Sequence, residues 1–156
     1  MRLALFEPDI PQNCGTILRM AACFGVPVDI IEPCGFVFGS RQMRRAGMDY
    51  LDHVEITRHS SWAQFVESRV KSQTNLAGKL VLLTTQAEQT HTDFQFESGD
   101  CLILGRESAG VPGLIHDTVD ARLRISMEPG LRSLNVAISA AVVLGEALRQ
   151  ISGFPK

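Results

Sequence analysis

No stretch of this chain approaches the ~18 uninterrupted apolar residues of a membrane-spanning helix. The opening MRLALFEPDI meets proline and acids too early for a secretory signal. These two absences predict a cytoplasmic protein with no membrane partner. Cys14, Cys23, Cys34 and Cys101 form no C-x-x-C pair, and His53, His59, His91 and His116 stand at no ligand spacing from one another, so reduced structural thiols and no metal are expected. Charge of one sign is scarce as well: 15 basic against 17 acidic residues leave a net −2. A globally basic DNA-binding protein is not expected, and any nucleic-acid surface must be a local cluster.

Several ligand-loop motifs are also missing. The loop CLILGRESAGVP (101–112) starts like a phosphate loop, but Val111 and Pro112 stand where a P-loop needs lysine and a hydroxyl residue. No three glycines keep the G-x-G-x-x-G spacing of a dinucleotide fold, and Arg106 occupies the glycine position two before Ser108 that a nucleophile elbow requires. Nucleotide triphosphate, NAD and serine hydrolysis all lose support.

What is present is a packed globular composition, 45% hydrophobic and 21% charged over 156 residues, which is about one domain, 1–156, with neither repeat nor linker. Strand-like runs at 3–6, 28–31, 53–57, 79–85, 101–105 and 121–127 alternate with helical segments. This predicts an α/β fold with a mostly parallel sheet. Asn13 is placed to cap a helix ending near Gly25, Ser40 one ending at Gly47, and Ser60 or Ser61 a third. The last helix is expected over 133–151, capped by Ser133 and apolar around most of its circumference, hence buried in the core or against a second subunit. The stretch 86–100 lacks periodicity and reads as an exposed loop. The spacing of Arg41, Arg44 and Arg45 puts them on one helical face, a local anion footprint.

Three segments, NCGTILR (13–19), LILGRESAGVP (102–112) and RISMEPGLRSLNVAISAAVVLGEAL (124–148), resemble in order and spacing the three motifs of the SPOUT superfamily of RNA methyltransferases, in its 2′-O-ribose branch. The further piece RRAGMDY (44–50) resembles the TrmL type, which modifies the wobble nucleotide of tRNA. The resemblance covers about residues 3–150. It implies a C-terminal segment tucked through a loop as a deep trefoil knot, against the usual absence of knots, and a homodimer packed through the first and last helices. It also implies S-adenosylmethionine as cofactor, bent among three loops, with S-adenosylhomocysteine as product. Those loops would offer Leu83, Thr84, Gly105, Glu107, Gly110, Ile125, Met127, Ser133 and Leu134. Glycines 105 and 110 would let backbone approach the ligand.

The resemblance further gives Arg19 the reacting ribose. An arginine is too strongly protonated for an ordinary base, so its expected work is to hold the target phosphate and stabilise oxyanion character. Asn135 would lie beside the target. Glu107 reads equally as architectural or catalytic. Arg41, Arg44 and Arg45 would meet the tRNA backbone, and Tyr50 would stack on a base. Three departures from the family pattern concern loop shape and hydroxyl chemistry: Arg106, Ser126 in ISM, and Ala137. The expected activity is 2′-O-methylation of wobble C or U, in leucine-type tRNA by resemblance alone. Methylation of another tRNA or rRNA site, a catalytically silent RNA-binding assembly factor, and a flavodoxin-like module are the alternatives.

Overall fold

The computed structural model describes residues 1–71 and 78–156. All six expected strands form: β1 (Arg2–Phe6), β2 (Val28–Ile31), β3 (Ile56–His59), β4 (Leu80–Leu83), β5 (Cys101–Leu104) and β6 (Ala121–Leu123). They make one sheet in the order β3-β2-β1-β5-β4-β6, every neighbouring pair parallel. Helices α1 (Pro11–Phe24), α2 (Arg41–Gly47), α3 (Trp62–Lys71), α4 (Gly113–Thr118) and α5 (Val136–Gln150) connect and cover it.

The near-continuous apolar strands follow from this double coverage, because a parallel sheet flanked on both faces has no solvent side to alternate toward. On one face Leu3, Leu5, Val28, Ile30, Leu102 and Leu104 pack with Ile17, Leu18 and Ala21 of α1 and Ala140, Val143 and Leu144 of α5. On the other Ala4, Phe6, Ile31, Leu82 and Ile103 meet Phe65 of α3 and Ile115 of α4. Fully burying one such aliphatic side chain contributes about 1.5–3 kcal/mol, so both halves of the core are needed.

Boundaries moved where local chemistry opposed the pattern. The expected third strand begins three residues late, at Ile56, because Met48–His53 forms a 3-10 turn. Asn13 does not cap α1. The helix starts three residues earlier than that cap would place it, with Ile10 as cap and Pro11 at its first position, where proline's fixed φ suits a helix start. Gly25 ends it in the left-handed conformation, at φ +65°. Ser40 and Ser61 do act as caps, accepting from Met43 N (3.4 Å) and Gln64 N (3.2 Å). Ser133 does not: α5 starts at Val136, and Asn135 Oδ1 accepts from Ala137 N at 2.8 Å and Ile138 N at 3.3 Å.

The stretch 86–100 is the expected loop, mostly exposed, but it is anchored in the core. Phe94 and Phe96 are buried in the main core with ring centroids 4.8 Å apart. The same stretch grips the C-terminal segment twice. Thr90 and Arg124 form a parallel bridge, and Gln150 on α5 accepts from Phe96 N (2.9 Å) while donating to Phe94 O (3.0 Å).

Candidate active site

In a parallel sheet every strand delivers its carboxyl end to the same edge, and ligands of open α/β sheets bind beyond those ends. Here the ends of β4, β5 and β6 open onto a cavity of about 550 Å³. Its wall includes Leu83, Thr84, Gly105, Glu107, Gly110, Ile125, Met127, Ser133 and Leu134, all nine residues that the sequence offered for a cofactor, and also Asn135. Arg19, Arg41, Arg44, Arg45 and Tyr50 lie outside it.

The loop after β5 is folded by its own backbone. Arg106 and Gly110 exchange both N–H···O bonds, at 3.0 and 2.8 Å. Gly110 takes φ +67° to close that turn, and a Cβ there would meet nothing within 4 Å. A Cβ at 105 would sit 2.7 Å from the carbonyl carbon of Gly110, so glycine there lets the loop close on itself.

The charged side chains on the cavity wall are each held by a neighbour. Arg106 donates to Glu7 Oε2 at 3.0 Å, which gives this departure from the family pattern a structural partner. Glu107 and Asp9 clasp each other: Glu107 N donates to Asp9 Oδ1 (3.1 Å) and Asp9 N to Glu107 Oε2 (3.2 Å). Ser108 adds its N–H (3.3 Å) and its hydroxyl to Asp9. The shared hydrogen bond with Glu107, followed by the Ser108 hydroxyl and two backbone donors, holds the Asp9 carboxyl down to about 2. Burial first, and then the bond to Asp9, push the Glu107 carboxyl up. Two acids in contact thus separate into a stronger and a weaker one.

From Glu107 a chain of side chains crosses the cavity mouth. Asn13 Nδ2 donates to Glu107 Oε1 (3.1 Å), and Asn13 Oδ1 accepts from Asn135 Nδ2 (2.9 Å). Glu107 therefore ties the β5 loop to the start of α1, and Asn135 ties α1 to α5. Sequence reading named Asn13 as a cap and missed this role, and it missed Asp9 entirely. The acid directly after a strand end, in EPDIP, was the available signal. It also missed His116 of α4, which lines the cavity and carries no motif.

Burial pushes the thiols of Cys14 and Cys101 up to about 12 and that of Cys34 to about 11, which removes them as nucleophiles near neutral pH. All four cysteines are free. Among the described residues no group of His, Cys, Asp and Glu could hold a metal ion, and no helix is long and apolar enough to cross a membrane.

Outside the cavity, α2 buries Met43 and Gly47 and exposes Arg41, Arg44 and Arg45. Arg44 Nε is held by Gly39 O at 3.0 Å. Arg19, exposed on α1, has its guanidinium carbon 4.9 Å from the centroid of the Tyr50 ring.

A parallel six-stranded sheet with a cavity framed by three strand-end loops and the last helix is the architecture of a SPOUT-type methyltransferase. The chain belongs to the SpoU rRNA Methylase family, whose model matches residues 1–145. It is 54% identical over 154 residues to the tRNA (cytidine(34)-2′-O)-methyltransferase of Beijerinckia indica, covering 99% of this chain and 94% of that one. A solved structure described as giving structural insights into the 2-OH methylation of C/U34 on tRNA superposes with a TM-score of 0.89 at 36% identity, covering 97% of this chain and 96% of the other. The AviRb methyltransferase of Streptomyces viridochromogenes, solved with the cofactor AdoMet, has a TM-score of 0.85 at 26% identity. That match covers 96% of this chain and 60% of AviRb.

Proposed function

We propose that this chain transfers a methyl group from S-adenosylmethionine to the ribose 2′-oxygen of the wobble nucleotide of tRNA, C or U, in leucine-type isoacceptors. It works in the cytoplasm as a homodimer of single-domain chains, residues 1–156. The observation that carries the reading is the 54% identity, over 99% of the chain, to a methyltransferase named for cytidine 34 of tRNA.

The cavity suits such a cofactor. Its aliphatic wall of Leu83, Leu104, Ile125, Met127 and Leu134 fits an adenine and the carbon groups around a sulfonium, and strand-end backbone supplies donors and acceptors. With Arg106 and Glu107 already paired, nothing there resembles a phosphate cradle. When bound, S-adenosylmethionine supplies an electrophilic methyl group. The chain's own residues then have three tasks. Leu83, Thr84, Gly105, Gly110, Ile125, Met127, Ser133 and Leu134 hold the donor and exclude water. Glu107 and Asn135 fix the cavity mouth against α1, with Asn135 beside the target ribose. Arg19 holds the target phosphate, to which the hydroxyl proton passes, and stabilises the charge that develops on the oxygen in line with the methyl carbon.

Arg41, Arg44 and Arg45 supply the backbone contacts of the RNA. A second subunit is supported by α5, whose Ile138 and Val142 stay exposed although the opposite face is fully buried. The two grips of 86–100 on the C-terminal segment support the trefoil knot as the crossing.

Purified protein, labelled cofactor and total tRNA should yield ribose methylation at the wobble nucleotide only. Label confined to ribosomal RNA, or to a base, overturns the assignment.

A further inference from the structure

The first motif and the RRAGMDY segment meet in space. A Cβ on Gly15 of α1 would lie 2.5 Å from Met43 O, 2.8 Å from the Ala46 Cβ and 3.0 Å from Gly47 N. The helix backbone therefore runs directly against the end of α2, and only glycine permits that approach. Residues four apart share a helix face, so Arg19 projects from the same side as Gly15, one turn farther along. On that side the chain continues past Gly47 into the Met48–His53 turn. That turn brings the Tyr50 ring to the Arg19 guanidinium, 4.9 Å from its centroid to the Arg19 Cζ.

We infer that Tyr50 is a positioning residue for Arg19, rather than a platform for a tRNA base. An arginine on a helix surface samples many rotamers, and each costs entropy when the side chain must be in one place at the moment of reaction. A ring under the guanidinium narrows that set by a cation–π contact. Such a contact engages the guanidinium plane, while the N–H fork that recognises phosphate and oxyanion lies in that plane and points outward. Arg19 covers one face of that ring. Gly15 is then part of the same device, since it sets the spacing between α1 and the end of α2, from which the turn continues. The inference rests on the proposed ribose methylation with Arg19 at the reacting group.

The test compares Tyr50→Leu and Tyr50→Phe in single-turnover methylation of tRNA. At saturating tRNA, Tyr50→Leu should lower the rate constant about fivefold to tenfold, with half-saturation by tRNA and cofactor affinity within about twofold, as small changes of a non-contacting residue should be. Tyr50→Phe, which keeps the ring, should restore most of the rate. In an Arg19→Ala background the Leu substitution should cost nothing further, because the two residues act as a unit. Should Tyr50→Leu fail to fold by melting, Tyr50→Met carries the same comparison. A second readout needs no activity: the Arg19 side-chain resonances should show a ring-current shift in the wild type and Tyr50→Phe that vanishes in Tyr50→Leu. A weakened tRNA half-saturation with an unchanged saturating rate, or Arg19 resonances that do not move, overturns the inference. A wild type that transfers no methyl to tRNA removes the proposed reaction instead, while the resonance comparison still judges the Arg19–Tyr50 contact.

Discussion

The cavity beyond β4, β5 and β6 and the helical surface of α1, α2 and the 48–53 turn treat charge in opposite ways. Around the cavity each charged group has a close partner: Arg106 on Glu7, Glu107 on Asp9 and Asn13. Shape there comes from backbone, with the Arg106–Gly110 closure setting the loop. On the helical surface Arg41, Arg44 and Arg45 stand exposed on one face, and the Arg19 guanidinium lies over the Tyr50 ring. A cavity with aliphatic walls gains from pairing its own charged groups, since an unpaired charge facing an apolar wall is costly. A surface for a polyanion gains from leaving charge in water, where long-range attraction speeds encounter. A chain of net −2 accommodates both by segregating them.

The sharpest way to break this division is Gly105→Val. Its side chain would occupy the space of the Gly110 carbonyl carbon, 2.7 Å from where the Cβ must go, so the β5 loop cannot close and cofactor binding by calorimetry should be lost. Undiminished affinity would show that loop closure does not shape the cavity. The effect of Arg19→Ala should be next in size and fall on the other side of the division. Cofactor affinity should be unchanged while methyl transfer drops about 10²–10³-fold, the range for losing one group that stabilises developing charge. Retained single-turnover activity would sink the role. A smaller effect is expected from replacing Arg41, Arg44 and Arg45 together by alanine: weaker tRNA binding with a salt dependence shallower by up to about three phosphate contacts, and an unaltered cofactor titration. An unchanged salt slope would remove α2 from the RNA surface.

Legibility in the sequence followed the same division. Strand cores were readable because doubly covered parallel strands are continuous apolar runs, as in CLIL and VDII. The cavity's strand-end residues came from the family resemblance, and the fold brings them together because the carboxyl ends of parallel strands share an edge. What was hidden depended on contacts distant in sequence. Asn13 looks like a helix cap from its neighbours, and only the approach of Glu107 and Asn135, 94 and 122 positions away, makes it a bridge. Phe94 and Phe96 sit in a polar, aperiodic stretch whose burial depends on the α5 terminus that it grips. Ser133 lost the capping position to Asn135 because the chain runs extended to the very start of α5, a choice that both residue types permit locally. Arg19 was identified by resemblance, and its contact with Tyr50, 31 positions on, is one that spacing along the chain does not reveal.

Asn135 belongs to both regions, and its substitutions offer the finest dissection. Its Oδ1 accepts from two N–H groups at the start of α5, and its Nδ2 donates to Asn13 on α1. Alanine removes both functions. Loss of an N-cap costs about 1 kcal/mol, which for a domain of this size lowers the melting temperature by about 2–4 °C. Aspartate separates the two, because a carboxylate still caps the helix, and favourably so at the positive end of the helix dipole. It cannot donate to Asn13 Oδ1, however, and Asn13 cannot turn its amide to compensate without surrendering the bond to Glu107. Asn135→Asp should therefore melt within about 1 °C of the wild type on the cap alone, yet transfer methyl as poorly as Asn135→Ala. Equal melting losses in the two variants would show that the bridge to α1, not the cap, holds the start of α5. Full activity in Asn135→Asp would leave the bridge without a part in the reaction.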